Sequence, residues 1–255
     1  MLHRLEGLTG VNTKTIPFDD IETMNLIKNV NTLGINLLGC NYVKDIIIET
    51  KPSDFEDLVK IIGLAYGTDV WKNNAQDLIK NGTITLKEVI ANRDDIMIYL
   101  VYLGIDDKTA FDVMEFIRKG RFAIDGWNSS IWEKDRKIYE DIMKKYNVPE
   151  WYIDACKKIR YLFPKAHAVN YVMNSFRIAY YKIHYPKEFY KTYFEVKASE
   201  EFDFTIVNDK EKLLKTIEEL KERTINNENE LDYNMHFLKK DYEVALEMNN
   251  KGIKI

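Results

Sequence analysis

The sequence predicts an all-α fold, and three observations carry that prediction. Capping side chains stand three residues before a Glu at five places, glycines recur where apolar helical patterns stop, and almost no alternating pattern competes for strands. Asp19-Asp20-Ile21-Glu22 opens the first such helix, and Asn41 to Lys51 reads as a second. Ser53-Asp54-Phe55-Glu56 begins a third, Trp71 to Lys80 follows with Gly82 as its stop, and Thr85-Leu86-Lys87-Glu88 marks a further beginning. Helices over Asp94 to Leu103 and Asp107 to Lys119 are closed by Gly104 and Gly120. A Gly-, Asn- and Ser-containing loop leads to Ser130-Ile131-Trp132-Glu133, which opens the next helix. Pro149 suits the first turn of a helix running to Phe163. From Lys165 to Tyr185, ended by Pro186, apolar residues that include Val172, Phe176, Ile178, Ala179 and Ile183 cover several faces, so this helix is central. Asn208-Asp209-Lys210-Glu211 begins a helix to Arg223, and Thr224-Ile225-Asn226-Asn227 separates it from a last one over Asn229 to Asn250.

With 255 residues, 45% of them hydrophobic, the chain can bury a sizeable core without cross-links. Cys40 and Cys156 have no second Cys or His at zinc-ligand spacing, so neither a disulfide framework nor a metal site is indicated. His3, His184 and His236 stand without companions in the sequence. No apolar run reaches the length of a membrane span and the start is not a cleavable signal, which predicts a soluble cytoplasmic protein. The net charge of -4 argues against a whole-surface electrostatic grip on nucleic acid. Basic residues nevertheless gather between Arg118 and Arg121 and between Lys157 and Lys165, while acidic ones concentrate around Glu200-Glu201 and Glu218-Glu219. Composition turns acidic and polar from Ser199, which divides the chain into a domain over 1–198 and a helical extension over 199–255.

The stretch richest in chemistry is Phe163-Pro164-Lys165-Ala166-His167-Ala168-Val169-Asn170-Tyr171. A helix N-terminus has free amides and a partial positive charge that favour phosphate, and Lys165 and His167 add donors at that end. His167 and Tyr171 are four apart and share a face. Charge for phosphates followed by an aromatic surface for a base is what a nucleoside triphosphate would use. A Lys and a His after a Pro are ordinarily just solvated first-turn residues, so the segment gains weight only from its surroundings.

Those surroundings are Gly67-Thr68-Asp69-Val70-Trp71 with Asn74-Ala75-Gln76, Asn92-Arg93-Asp94-Asp95-Ile96-Met97, Phe116-Ile117-Arg118-Lys119-Gly120 and Val148-Pro149-Glu150-Trp151-Tyr152-Ile153-Asp154. In this order, and followed by the Lys-Ala-His segment, they resemble the fingers region of the PolC-type alpha subunit of bacterial DNA polymerase III, a family C DNA polymerase. The resemblance runs from about Leu5 to about Met248, and the Gly-Thr-Asp-Val-Trp segment is similar to PolC rather than to DnaE-type enzymes. It implies a multi-helix fingers domain that binds the incoming deoxynucleoside triphosphate, with Arg118, Lys119, Lys165 and His167 on the triphosphate and Tyr171 beside the nascent base pair. Arg grips phosphate through two N–H groups, whereas Lys acts as a point charge. Arg121 belongs to the same basic segment, and Asn174 and Arg177 are second contacts at most.

Polymerisation needs carboxylates that hold two metal ions. The resemblance implies that these lie in a palm preceding this chain, with Mg2+ bound there and not here, and no Pro-Asp-Xaa-Asp-type segment occurs in this sequence. It also implies a helix-hairpin-helix DNA-binding region further on, and as partners primer-template DNA together with the palm and thumb. No catalytic residue and no membrane partner are expected. An alternative remains open at this stage: a stand-alone, non-catalytic helical module that binds nucleic acid or protein and derives from the same fold.

Overall fold

Several helices of this chain begin where a short acidic side chain can accept the first free amides, although the residue that does so is not always the one the Glu spacing selects. The computed structural model describes residues 1–125, 129–226 and 233–255. Among these residues the fold is all-α. In chain order the helices are α1 Leu2–Thr9, α2 Ile21–Lys28, α3 Asn41–Thr50, α4 Phe55–Tyr66, α5 Gln76–Lys80, α6 Arg93–Tyr102 and α7 Asp107–Arg118. Then follow α8 Glu133–Lys145, α9 Glu150–Lys158, α10 Lys165–His184, α11 Pro186–Val196, α12 Lys210–Asn226 and α13 Tyr233–Asn250.

Several boundaries depart from the sequence reading. Asp20 caps α2 by accepting from the Thr23 amide, Asp54 caps α4 through Asp57, and Asp209 caps α12 through Lys212, each one residue after the predicted cap. At Thr85 no helix follows: the Glu88 carboxylate accepts from both the Thr85 amide and hydroxyl, which closes a turn instead. The helix from Pro149 ends at Lys158 rather than Phe163, since Ile159 is already extended at φ -68° and ψ 124°. Pro186 ends α10 and also starts α11, where its missing N–H costs nothing. Neither α11 nor α1 was foreseen, and α12 continues through Asn226. Parts of two predicted connections, residues 126–128 and 227–232, lie outside the described residues.

The contacts divide the chain into two compact units, Asn41–Val172 and Met1–Cys40 with Met173–Ile255. In the second of these, α1 packs on α11, and α13 packs on α11 and α12. Its core combines Leu5, Ile27, Phe176, Phe189 and Tyr190 with a buried polar network. The Lys182 side chain is 0% exposed and donates to the carbonyls of Asn31 and Leu33 and to Glu247, which also accepts from the Tyr190 hydroxyl. Asp241 accepts from the Tyr193 hydroxyl and the Ser199 amide. His184, read from sequence as companionless, sits 3.0 Å from the Asp20 carboxylate.

In the 41–172 unit, α4 is buried on nearly every side from Asp57 to Leu64. Gly63 permits that closeness, since a Cβ there would lie 2.6 Å from the Ala91 carbonyl oxygen. α6 packs on α7, and the Tyr99 and Tyr152 rings stack at 4.6 Å between α6 and α9. Cys156 is buried and Cys40 exposed, both as free thiols. No helix of the described residues is long and apolar enough to cross a membrane.

Candidate nucleotide-binding face

A short extended segment, residues 159–164, is the piece on which the motifs of the 41–172 unit meet. Helix α9 ends at Lys158, and the amides and carbonyls that follow find partners in other loops. The Arg160 amide donates to the Thr68 carbonyl at 3.0 Å, and the Thr68 amide donates back to the Tyr161 carbonyl at 2.9 Å. Leu162 donates to the Arg118 carbonyl at 3.3 Å, and Arg93 donates to the Phe163 carbonyl at 3.2 Å. Each of the Gly-Thr-Asp, Asn-Arg-Asp-Asp and Arg-Lys-Gly segments is thereby tied to the chain that leads into α10. Gly120 allows this approach: its φ is +70°, and a Cβ would stand 2.5 Å from the Arg160 carbonyl oxygen.

Extended backbone sends alternate side chains to opposite sides. Leu162 is fully buried, whereas Tyr161 is exposed and Phe163 half-buried on the other side. Phe163 then seeds an aromatic face. Its ring stacks on Tyr171 at 5.9 Å and 24°, meets His167 edge-on at 6.1 Å, and lies 5.8 Å from Tyr66. His167 and Tyr171 are both exposed, as their four-residue spacing on α10 requires if they flank one ring. Tyr66, the last residue of α4, was not foreseen as a member of this face. Its only signal was its place just before Gly67.

The cations are engaged by carboxylates. Arg118 places Nε 2.5 Å and Nη2 2.8 Å from the two oxygens of Glu115, and Lys119 places Nζ 2.8 Å from the same group. These hydrogen bonds, Arg118's foremost, pull the Glu115 carboxyl down to about 2 against the cost of its partial burial. Lys165 sends Nζ toward Glu56 at 3.4 Å, on the rim of a cavity of about 430 Å³ that Lys60, Tyr99 and Trp151 also line. Arg118 and Lys119 thus share one carboxylate, His167 and Tyr171 share one aromatic ring, and the Lys165 amine has a carboxylate of its own. The backbones are close: Lys165 follows Leu162 by three positions, at most about 11 Å of extended chain. Arg121 lies over the Trp132 ring at 4.5 Å, and Asn174 and Arg177 belong to the other compact unit.

The start of α10 holds one residue that sequence reasoning placed differently. Asp94 sits in the first turn of α6, yet its carboxylate accepts from the Lys165 amide at 2.9 Å. Its neighbour Asp95 serves α6 itself by accepting from the Ala91 and Asn92 amides. Part of the anion-binding capacity of the α10 N-terminus is therefore already used by Asp94. No sequence signal could have paired residues 94 and 165.

The pattern of the bacterial DNA polymerase III alpha subunit finger domain matches residues 1–145. Among curated relatives, the DNA polymerase III PolC-type of Caldanaerobacter subterraneus subsp. tengcongensis is 45% identical across 100% of this chain and 18% of its own length. The chain belongs to the PolC-type DNA polymerase III fingers family. The PolC-type protein of Clostridium perfringens is 42% identical over 99% of the chain, and that of Halalkalibacterium halodurans 45% identical over 86%. These matches cover 17% and 16% of the relatives' lengths, so the fingers chain spans about a sixth of them. Among the described residues of this PolC-type chain, no group of three or more His, Cys, Asp or Glu side chains could hold a metal ion.

Proposed function

We propose that this fingers chain binds the incoming deoxynucleoside triphosphate and the nascent base pair during template-directed DNA synthesis by a PolC-type polymerase. The observation that carries the reading is the pinned segment 159–164, which ties the Arg118 backbone and the start of α10 to one strip of chain. Arg118, Lys119, Lys165 and His167 are the triphosphate ligands of this reading. Tyr171, stacked on Phe163 with an exposed ring, is the surface against which the base pair rests. Lys165 must leave Glu56 to reach a phosphate. Glu56 is solvent-exposed and Lys165 half-buried, so breaking the pair costs about 1 kcal/mol.

The chemistry of phosphoryl transfer is assigned to Mg2+ held by palm carboxylates outside this chain, which neutralise charge on the triphosphate and activate the primer hydroxyl. The chain's own residues bind and orient the substrate. Residues 1–198 form the fingers proper in this proposal, and 199–255 extend toward a helix-hairpin-helix region. The partners are primer-template DNA, the palm and the thumb, in the cytoplasm.

The test is single-turnover incorporation in a PolC-type polymerase carrying this segment, with primer-template binding measured alongside at fixed salt. Lys165→Ala should lower kcat/KM by one to a few powers of ten, at about 1.4 kcal/mol per tenfold step, because its contact strengthens as charge builds on the transferring phosphate. Tyr171→Ala should instead raise KM and relax discrimination, an effect of about 1–3 kcal/mol through lost stacking. Strong loss of DNA binding with normal nucleotide kinetics in Lys165→Ala would make that residue a backbone contact and overturn the assignment.

A further inference from the structure

The two adjacent cations of the proposed site converge on one acidic side chain. Glu115 lies three and four residues before Arg118 and Lys119, so all three project from the same face at the C-terminal end of α7. Its carboxylate takes the Nε and Nη2 edge of Arg118 in two short bonds and one of the three donors of Lys119 in a third. Arg118 and Glu115 are both about four-fifths buried, with side-chain exposures of 23% and 20%. A planar guanidinium held by one edge has its plane and direction fixed, while Nη1 and the outer edge of Nη2 stay available. Two of the three Lys119 donors are likewise left over. The backbone end of this group is fixed as well, since the Arg118 carbonyl accepts from Leu162 and Gly120 is wedged against Arg160.

We propose that Glu115 is a positioning residue of the nucleotide site, anchoring Arg118 and Lys119 by one side each so that their remaining donors meet the triphosphate in a fixed orientation. This rests on the assignment of Arg118 to the triphosphate made above. Glu115 itself touches no substrate. Its negative charge has two opposed effects: it fixes the cations, which favours the reacting geometry, and it offsets part of their attraction for a polyanion, which weakens ground-state binding. Its carboxyl stays ionised throughout any practical assay range, because the bonds from Arg118 and Lys119 hold it near 2.

The experiment uses Glu115→Gln and Glu115→Asp in a PolC-type polymerase carrying this segment, with Arg118→Ala and the Arg118→Ala/Glu115→Gln pair beside them. Pre-steady-state incorporation and thermal melting are measured on each. Glu115→Gln keeps the size and removes the charge. It should lower kcat about 10- to 100-fold through lost orientation while KM for the nucleotide stays level or falls, since two cations are left less compensated. Glu115→Asp keeps the charge at shorter reach and should fall between Gln and the parent in kcat. In the Arg118→Ala background the Gln change should cost much less than in the parent, because the group it positions is gone.

A merely structural salt bridge gives another pattern: a lower melting temperature, with kcat and KM normal for the folded fraction. That outcome overturns the positioning role, as does full additivity of the two substitutions. If Arg118→Ala leaves nucleotide kinetics unchanged, the nucleotide-binding reading fails at its source. If Arg118→Ala lowers kcat/KM and Glu115→Gln changes neither parameter, only the role of Glu115 fails.

Discussion

Removing the buried amine of Lys182 should destabilise the unit formed by residues 1–40 and 173–255 by about 4 kcal/mol. The side chain is 0% exposed and reaches two backbone carbonyls, at 3.1 Å for Asn31 and 2.7 Å for Leu33, as well as the Glu247 carboxylate at 2.9 Å. Lys182→Met keeps most of the apolar stem and deletes the amine, which also stands 5.5 Å from the centre of the Phe189 ring. Glu247 keeps Tyr190 and Lys251 as partners, so it is weakened rather than abandoned. Both carbonyl bonds are part-buried, so each orphaned carbonyl costs at most about 1–3 kcal/mol, and breaking a buried ion pair from one side costs about 3–5 kcal/mol. These are not additive, and the middle of the ion-pair range is the expected loss.

Urea denaturation of the 255-residue chain measures it. All four tryptophans, Trp71, Trp127, Trp132 and Trp151, belong to the 41–172 stretch, whereas Tyr180, Tyr181, Tyr190 and Tyr193 belong to the other unit. Tryptophan emission therefore reports only the 41–172 unit, circular dichroism reports the helices of both, and the affected unit is read as the dichroism change that tryptophan emission does not follow. At an m-value of about 2 kcal/mol/M, the loss moves the affected midpoint by about 2 M. Adding Glu247→Gln should recover part of the loss, because a part-buried carboxylate left with one of its two cations is then replaced by a neutral amide. A loss below about 1 kcal/mol for Lys182→Met alone would refute the reasoning, since it would mean that water or rearranged neighbours satisfy the carbonyls at little cost.

Further outcomes are expected of the same chain. Gly120→Ala should lose about 2–3 kcal/mol in the tryptophan-detected transition, since it adds a clash with the Arg160 carbonyl to a positive φ. Gly82→Ala, with φ +69° and nothing within 4 Å, should lose only about 1 kcal/mol, and equal losses at the two sites would refute the close approach at Gly120. As for pH, burial raises the Asp241 carboxyl above its ordinary 3.8, so the native state holds this proton more tightly than the unfolded chain. Stability therefore falls as pH rises through the window from about 3.8 to the higher native value, and Asp241→Asn should remove that slope. Glu115 acts in the opposite sense, contributing stability above 4.5 that is lost as pH falls toward 2.

The helical class was legible because capping and stopping chemistry is local. An Asp beside a helix start is visible in four residues of sequence, and the structure moved those caps by only one position. Local signals failed where one residue type serves two purposes. Pro186 read as a stop, and it is also the first residue of α11. Thr85 and Glu88 satisfy the capping-box pattern, but it closes on itself with no helix to follow. At α1 the signal was absent, because Met1 makes no side-chain cap bond.

The candidate site shows the same divide at longer range. Residue types with the required chemistry could be read from the chain, and His167 with Tyr171 could be placed on one face from spacing alone. What arranges them could not. Asp94 reaches the Lys165 amide across 71 positions, Leu162 reaches the Arg118 carbonyl across 44, and Phe163 gathers Tyr66, His167 and Tyr171 around a ring that no periodicity singled out. The backbone contacts among them have a common setting in segment 159–164. It is extended from Ile159 and held extended at Phe163 by Pro164, so from Arg160 on its amides and carbonyls must be met by other loops. The loops that meet them are those carrying Thr68, Arg93 and Arg118. A backbone requirement in one short segment thereby fixes the positions of three chemically loaded turns. A substitution that let this segment become helical would displace all three turns while altering none of the proposed ligands.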